Sequence, residues 1–258
     1  MKHHKRYFNC IGFVLLLLTV ISCETSSKTP VKASAEESLI DKVSDNTKPV
    51  VGISIDNGPR HNHPTFAVWI EDMDGTLLQT LFVTRSIATG TFKYAADGEG
   101  KWKKEPGEAI RPAALPVWLH KREGSIPGGA LVMPTKANPF PDAFTGATPE
   151  NNCKISASVL KALPVRFAIC LEVNQPWDWN PYWSNSKFPQ DAEYLTSAQP
   201  SVVYAVTIDL NKPMDHYSMN PIGHGHYAGK DGHVYSDLST ITSALQIFNH
   251  INVSLNQQ

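Results

Sequence analysis

The chain has 258 residues, 41% of them hydrophobic, with 23 Lys and Arg against 24 Asp and Glu. That content suffices for one domain with a real core, and the balanced charge speaks against nucleic acid as a partner. No Gly-x-Ser-x-Gly, phosphate loop or dinucleotide fingerprint occurs, and no nucleophile-and-base set is legible, which favours a carrier or binding protein over a catalyst.

Lys2, Lys5 and Arg6 precede an apolar run from Ile11 to Ile21, the order of an export signal. The run is shorter than the ~20 residues that a membrane span needs. Val20-Ile21-Ser22-Cys23 resembles a bacterial lipobox, which implies cleavage before Cys23, its lipidation, and a mature chain anchored in the cell envelope, facing the periplasm or the surface. A plain secretory signal with an incidental Cys23 is the alternative. Removing residues 1–22 leaves 20 Lys and Arg against 24 Asp and Glu, a formal charge of −4. Residues 23–49 hold Ser, Thr, Lys, Glu and Ala and no aromatic ring, so they cannot offset their ordering entropy and are expected to be a flexible tether, with at most one helical turn over Ser38–Val43. Residues 50–258 are expected to form a single β-rich domain.

Val50–Ile55 is a short apolar strand closed by Asn57-Gly58-Pro59. Thr65–Asp72 is a stronger one, rich in β-branched and aromatic residues. Asp74-Gly75 supplies a hairpin turn and Leu77–Thr84 returns. Further strands are expected at Gly129–Met133, Lys154–Val159, Val165–Val173, Ser201–Leu210 and Ile251–Leu255. Many short strands punctuated by Pro and Gly predict a mainly β fold, an antiparallel β-sandwich, with an immunoglobulin-like form as one version. One short helix is expected near the C-terminus, over Leu238–Phe248, where Ile241, Leu245 and Phe248 share a face.

Asp142-Ala143-Phe144-Thr145-Gly146-Ala147-Thr148 resembles the acceptor motif of extracytosolic proteins that carry covalent FMN: Asp, two residues, Ser/Thr, Gly, Ala, Ser/Thr. The resemblance implies that a transferase cleaves FAD and joins the FMN phosphate to the hydroxyl of Thr148. Gly146 and Ala147 keep bulk away from the acceptor, Gly146 permits positive φ, and Asp142 orients the segment or meets the transferase's metal. The plainer alternative is an ordinary Asp-x-x-Thr-Gly loop. Pro149 favours an extended Thr148.

Three more phrases accompany this motif: Phe66-Ala67-Val68-Trp69-Ile70-Glu71-Asp72, Arg111-Pro112-Ala113-Ala114-Leu115-Pro116-Val117-Trp118, and Gln199-Pro200-Ser201-Val202-Val203-Tyr204-Ala205. With it they resemble a family of predicted periplasmic proteins of unknown function associated with extracytosolic FMN transferases, over roughly Pro49 to Leu255. The resemblance implies a flavin connection and names no reaction.

Cys153 and Cys170 remain once Cys10 and Cys23 are set aside. A hairpin centred on Lys161-Ala162 would place them opposite each other, so an exported domain is expected to bridge them; two buried thiols are the alternative. His61/His63 and His224/His226 each offer two imidazoles to a metal if extended, but both pairs sit beside Pro or Gly in loop-like sequence, and no metal is assigned. Trp177, Trp179, Tyr182 and Trp183 among Glu172, Asn174, Asp178 and Asn180 suit stacking on a sugar or an isoalloxazine, ligation of a hard cation, or a Pro-braced cap on the sandwich. The leading expectation is a lipid-anchored protein carrying FMN on Thr148 and acting in electron transfer, with an FMN transferase and a redox partner. The alternatives are a cofactor-free lipoprotein that binds glycan, peptide or metal, and a structural envelope lipoprotein.

Overall fold

The structure is a computed structural model that describes residues 37–42, 48–98, 101–123, 131–140 and 145–256. Cys23, most of the expected tether and Asp142 lie outside the described residues. The strands are β1 (Ser38–Lys42), β2 (Val50–Asn57), β3 (Thr65–Glu71), β4 (Leu77–Thr84), β5 (Thr91–Phe92), β6 (Gly107–Glu108), β7 (Thr145–Gly146), β8 (Cys153–Ser158), β9 (Arg166–Asn174), β10 (Val202–Asp209), β11 (Tyr217–Ser218), β12 (Asn220–His224) and β13 (Phe248–Asn256). The helices are α1 (Arg85–Thr89), α2 (Pro116–Glu123) and α3 (Ala192–Ser197). No described helix is long and apolar enough to cross a membrane.

Two sheets carry the fold: β1-β8-β2-β13-β11 and β12-β10-β9-β3-β4-β7. Their pairings are antiparallel except β1 on β8 and β4 on β7. Alternation along β2 sends Val51, Ile53 and Ile55 inward, where they meet Phe66, Val68 and Ile70 of β3 and Phe167, Ile169 and Leu171 of β9. The other face of β3 is buried as well. Ala67 and Trp69 join a second apolar layer with Leu115, Val117, Trp118 and Leu119 from α2 and its approach. A strand covered on both faces reads as a continuous apolar run, which explains Thr65–Ile70.

The structure is a mainly β sandwich, as the strand spacing predicts, and differs in detail. Ser38–Lys42 is an edge strand, not a helical turn; β8 offers it unpaired backbone and Ile40 packs against the core. Leu131–Met133 is irregular. Only Ser243–Gln246 of the expected C-terminal helix winds, as one 3₁₀ turn, and β13 begins at Phe248. The reason is long-range: Asn180 Nδ2 donates to the Thr240 carbonyl at 2.9 Å, and Gln199 Oε1 accepts the Thr242 N–H at 2.7 Å. Those backbone groups are committed elsewhere.

The expected hairpin between Lys154–Val159 and Val165–Val173 does not form. β8 pairs with β1 and β2, and β9 pairs with β3 and β10 in the other sheet. Cys153 faces the core between the sheets and Cys170 the second apolar layer, and both are free. The expected disulfide is corrected to two buried thiols.

Candidate functional site

The sheet register brings several loops to one end of the six-stranded sheet. Thr65 pairs with Asn174 and Thr84 lies beside Gly146, so β3 begins there while β4, β7 and β9 finish. A cleft of about 470 Å³ opens at that end, within the usual size of small-molecule sites. Thr148, at the end of the Thr-Gly-Ala-Thr motif, lines it together with His63, Phe92, Lys93, Tyr94, Arg111 and Trp177.

Thr148 is half-buried, and its Oγ1 donates to the Pro64 carbonyl at 3.0 Å. That bond ties the motif to the entrance of β3. Thr145 and Gly146 are a short edge strand on β4, and Ala147 is exposed. Gly146 is not among the residues with positive φ; its role is close approach instead. A Cβ there would stand 3.0 Å from the Phe82 ring and 3.7 Å from Ile40.

The aromatic loop divides in two. Trp183 joins Tyr194, Tyr227 and Phe188 in a cluster of rings, with Trp179 against Tyr194. Gln199 and Asn180 lock this half through bonds to Asp178, Thr240, Thr242 and Ser243. Trp177 goes the other way. It sits at φ 60, is 36% exposed, and meets Tyr94 at 5.5 Å and Trp102 at 6.0 Å, edge to face. Of the loop's rings only Trp177 lines the cleft with Thr148. Glu172, Asn174, Asp178 and Asn180 do not gather as cation ligands: Asn174 Nδ2 donates to the Gln199 carbonyl at 3.1 Å, Asn180 Oδ1 accepts the Trp183 N–H at 2.7 Å, and Asp178 accepts from Ser243 at 2.6 Å.

The charge in this cleft missed by sequence reasoning is Arg111. Its guanidinium lies over Phe92 and Trp102, 4.2 and 4.7 Å from their centroids. The signal that could have found it is its place in the phrase Arg-Pro-Ala-Ala-Leu-Pro, a single cation among apolar residues. Gly229, at φ 71, crosses this segment so closely that a Cβ would stand 2.4 Å from Pro112 carbonyl carbon, which helps fix where Arg111 sits.

The histidine pairs have other partners. His61 packs on Phe248, and burial lowers its pKa; His63 lines the cleft. His224 stacks on Tyr235, and its Nδ1 is 2.7 Å from the Gly225 carbonyl. His226 stacks on Tyr227, and its Nδ1 accepts the Ala228 N–H at 3.0 Å, a lone pair already used. Among the described residues no group of three or more His, Cys, Asp or Glu could hold a metal. No family model matches the chain, and no curated protein matches it.

Proposed function

We propose that the protein is a lipid-anchored extracytosolic electron carrier with FMN joined to Thr148. One observation carries this reading: the last residue of the acceptor motif and the outward half of the aromatic loop, far apart in sequence, line one cleft with Arg111, a cation with which no carboxylate among the described residues pairs. The residues fit the group. A hydroxyl stands at the cleft, rings able to stack form a wall, and positive charge from Arg111 and Lys93 suits a phosphate.

Attachment forms one phosphoester and breaks the pyrophosphate of FAD. Thr148 Oγ1 takes the FMN phosphoryl group and gives up its proton, and AMP leaves. The bond from Oγ1 to the Pro64 carbonyl is then lost, at a cost of about 1 kcal/mol. The motif is therefore held before modification by an interaction the product does not need. FMN, once joined, would supply one- and two-electron exchange, and Trp177 and Tyr94 would hold its ring system in the cleft. A cofactor-free module binding an aromatic ligand in the same cleft is the second reading, favoured by the exposure of Trp177.

Intact mass and in-gel flavin fluorescence on protein from its own host, or coexpressed with an FMN transferase, test this. The expected result is flavin that survives denaturation, located on Thr148, and absent from Thr148→Ala with the fold retained. Unmodified mass despite an active transferase overturns the reading.

A further inference from the structure

Arg111 is 4% exposed. Nη2 reaches the Tyr94 carbonyl at a long 3.4 Å, and Nε has no partner among the described residues. No carboxylate among the described residues pairs with it. Three rings surround it, those of Phe92, Trp102 and Trp177, the last at 5.7 Å. Burial pulls its pKa down to about 10, so it stays charged at neutral pH. Removing a cation from water costs several kcal/mol, and each ring contact returns only about 0.5–2 kcal/mol. A brace between rings has no need of this charge, since methionine fills such a box without desolvating a cation.

We propose that the cleft is an oxyanion site centred on Arg111, which takes an aromatic ligand by its phosphate while Trp177 and Tyr94 hold the ring system. Among the described residues the guanidinium makes one hydrogen bond, the long one to Tyr94, so four of its five N–H groups have no partner there, and a fork of that shape matches phosphate with two parallel bonds. Lys93, more exposed and lining the same cleft, adds charge nearer the solvent. The proposal rests on the flavin reading only for the ligand's identity, FMN.

The test uses the full chain made in cells without an FMN transferase, so that Thr148 is free. FMN and riboflavin, which differ by the phosphate, are titrated by flavin fluorescence, with inorganic phosphate as competitor. FMN is expected to bind at least ~10-fold tighter than riboflavin, and phosphate to displace it. Arg111→Met should bring FMN to the riboflavin level and leave riboflavin unchanged, with Arg111→Lys between. Equal binding of the two flavins, an equal fall of both in Arg111→Met, or binding of neither overturns the proposal. If Arg111→Met does not fold, the ratio and the competition on the unaltered chain decide. Mass analysis of native-host protein is independent: phosphate-dependent binding with an unmodified Thr148 sinks covalent attachment alone, and modified Thr148 with no preference for FMN sinks the oxyanion site alone.

Discussion

Two buried charges flank the start of α2, and their surroundings are opposite. Glu172 is 0% exposed, and both of its oxygens are used: Oε1 accepts from Val117 N–H at 3.2 Å and Ser201 Oγ at 2.6 Å, Oε2 from Trp118 N–H at 2.8 Å. It answers donors at the opening of a helix that have no intrahelical acceptor. Arg111, on the same side of the six-stranded sheet, has one long contact and a box of rings. The first charge finishes the architecture. The second is left for something outside it, and burial alone would not have distinguished them.

The largest expected effect breaks this comparison from the Glu172 side. Glu172→Ala strands three donors under Trp118 and opens a cavity, and should cost ~3–5 kcal/mol, a fall of roughly 6–20 °C in melting temperature for a domain of this size. Arg111→Met on the flavin-free chain should stay within ~1 kcal/mol of the original or exceed it, because no fitted partner is lost. Thermal melts of the two variants check this. Equal destabilisation would mean that Arg111 is as structural as Glu172.

A pH series sharpens the same contrast. Burial pushes the Glu172 carboxyl up to about 7, against the pull of its three donors. In the unfolded chain it titrates near ~4.3. Between those values the folded protein keeps a proton that the unfolded chain releases, so stability is full below the lower value and falls as pH rises through the upper one, by up to ~4 kcal/mol. Glu193, also pushed up to about 7, by burial and then Asp191, contributes in the same direction. Glu172→Gln should therefore flatten the slope of urea midpoint between pH 5 and 7 without abolishing it. An unchanged slope would show Glu172 ionised throughout, held by its donors.

What was legible in the sequence follows from how local each cause is. β3 and β4 announce themselves through β-branched and aromatic runs around Asp74-Gly75, whose turn is closed by the Asp72 carboxylate at 3.0 and 2.8 Å. The 3₁₀ turn at Ser243 was hidden because Asn180 and Gln199, some sixty and forty residues earlier, decide it. β1 was hidden for a related reason: five residues of modest propensity pair only because the edge of β8 is there. For the cleft, Thr148 and Trp177 could each be singled out by residue type. Their convergence could not, since it depends on which strands end together; Arg111 stands out locally as a lone cation among apolar residues, but which groups would meet its charge is decided by those distant strand ends.

The smallest expected effect concerns two buried groups that carry no charge at all. Burial, then the nearby Glu37, pushes the Cys153 thiol up to about 12; burial, then Glu71, pushes Cys170 higher still. Thiols of this kind do not react, because the thiolate is the nucleophile. They also face different apolar layers on strands of different sheets, so no bridge links them. A reductant should leave the melting temperature unchanged, whereas losing a native disulfide typically costs ~2–5 kcal/mol. Iodoacetamide should spare both residues in the folded protein and label both after denaturation without reductant. A cross-linked peptide containing Cys153 and Cys170 would show that the two side chains do not face different apolar layers, and with that the facing of β9, whose end helps build the cleft, would have to be redrawn.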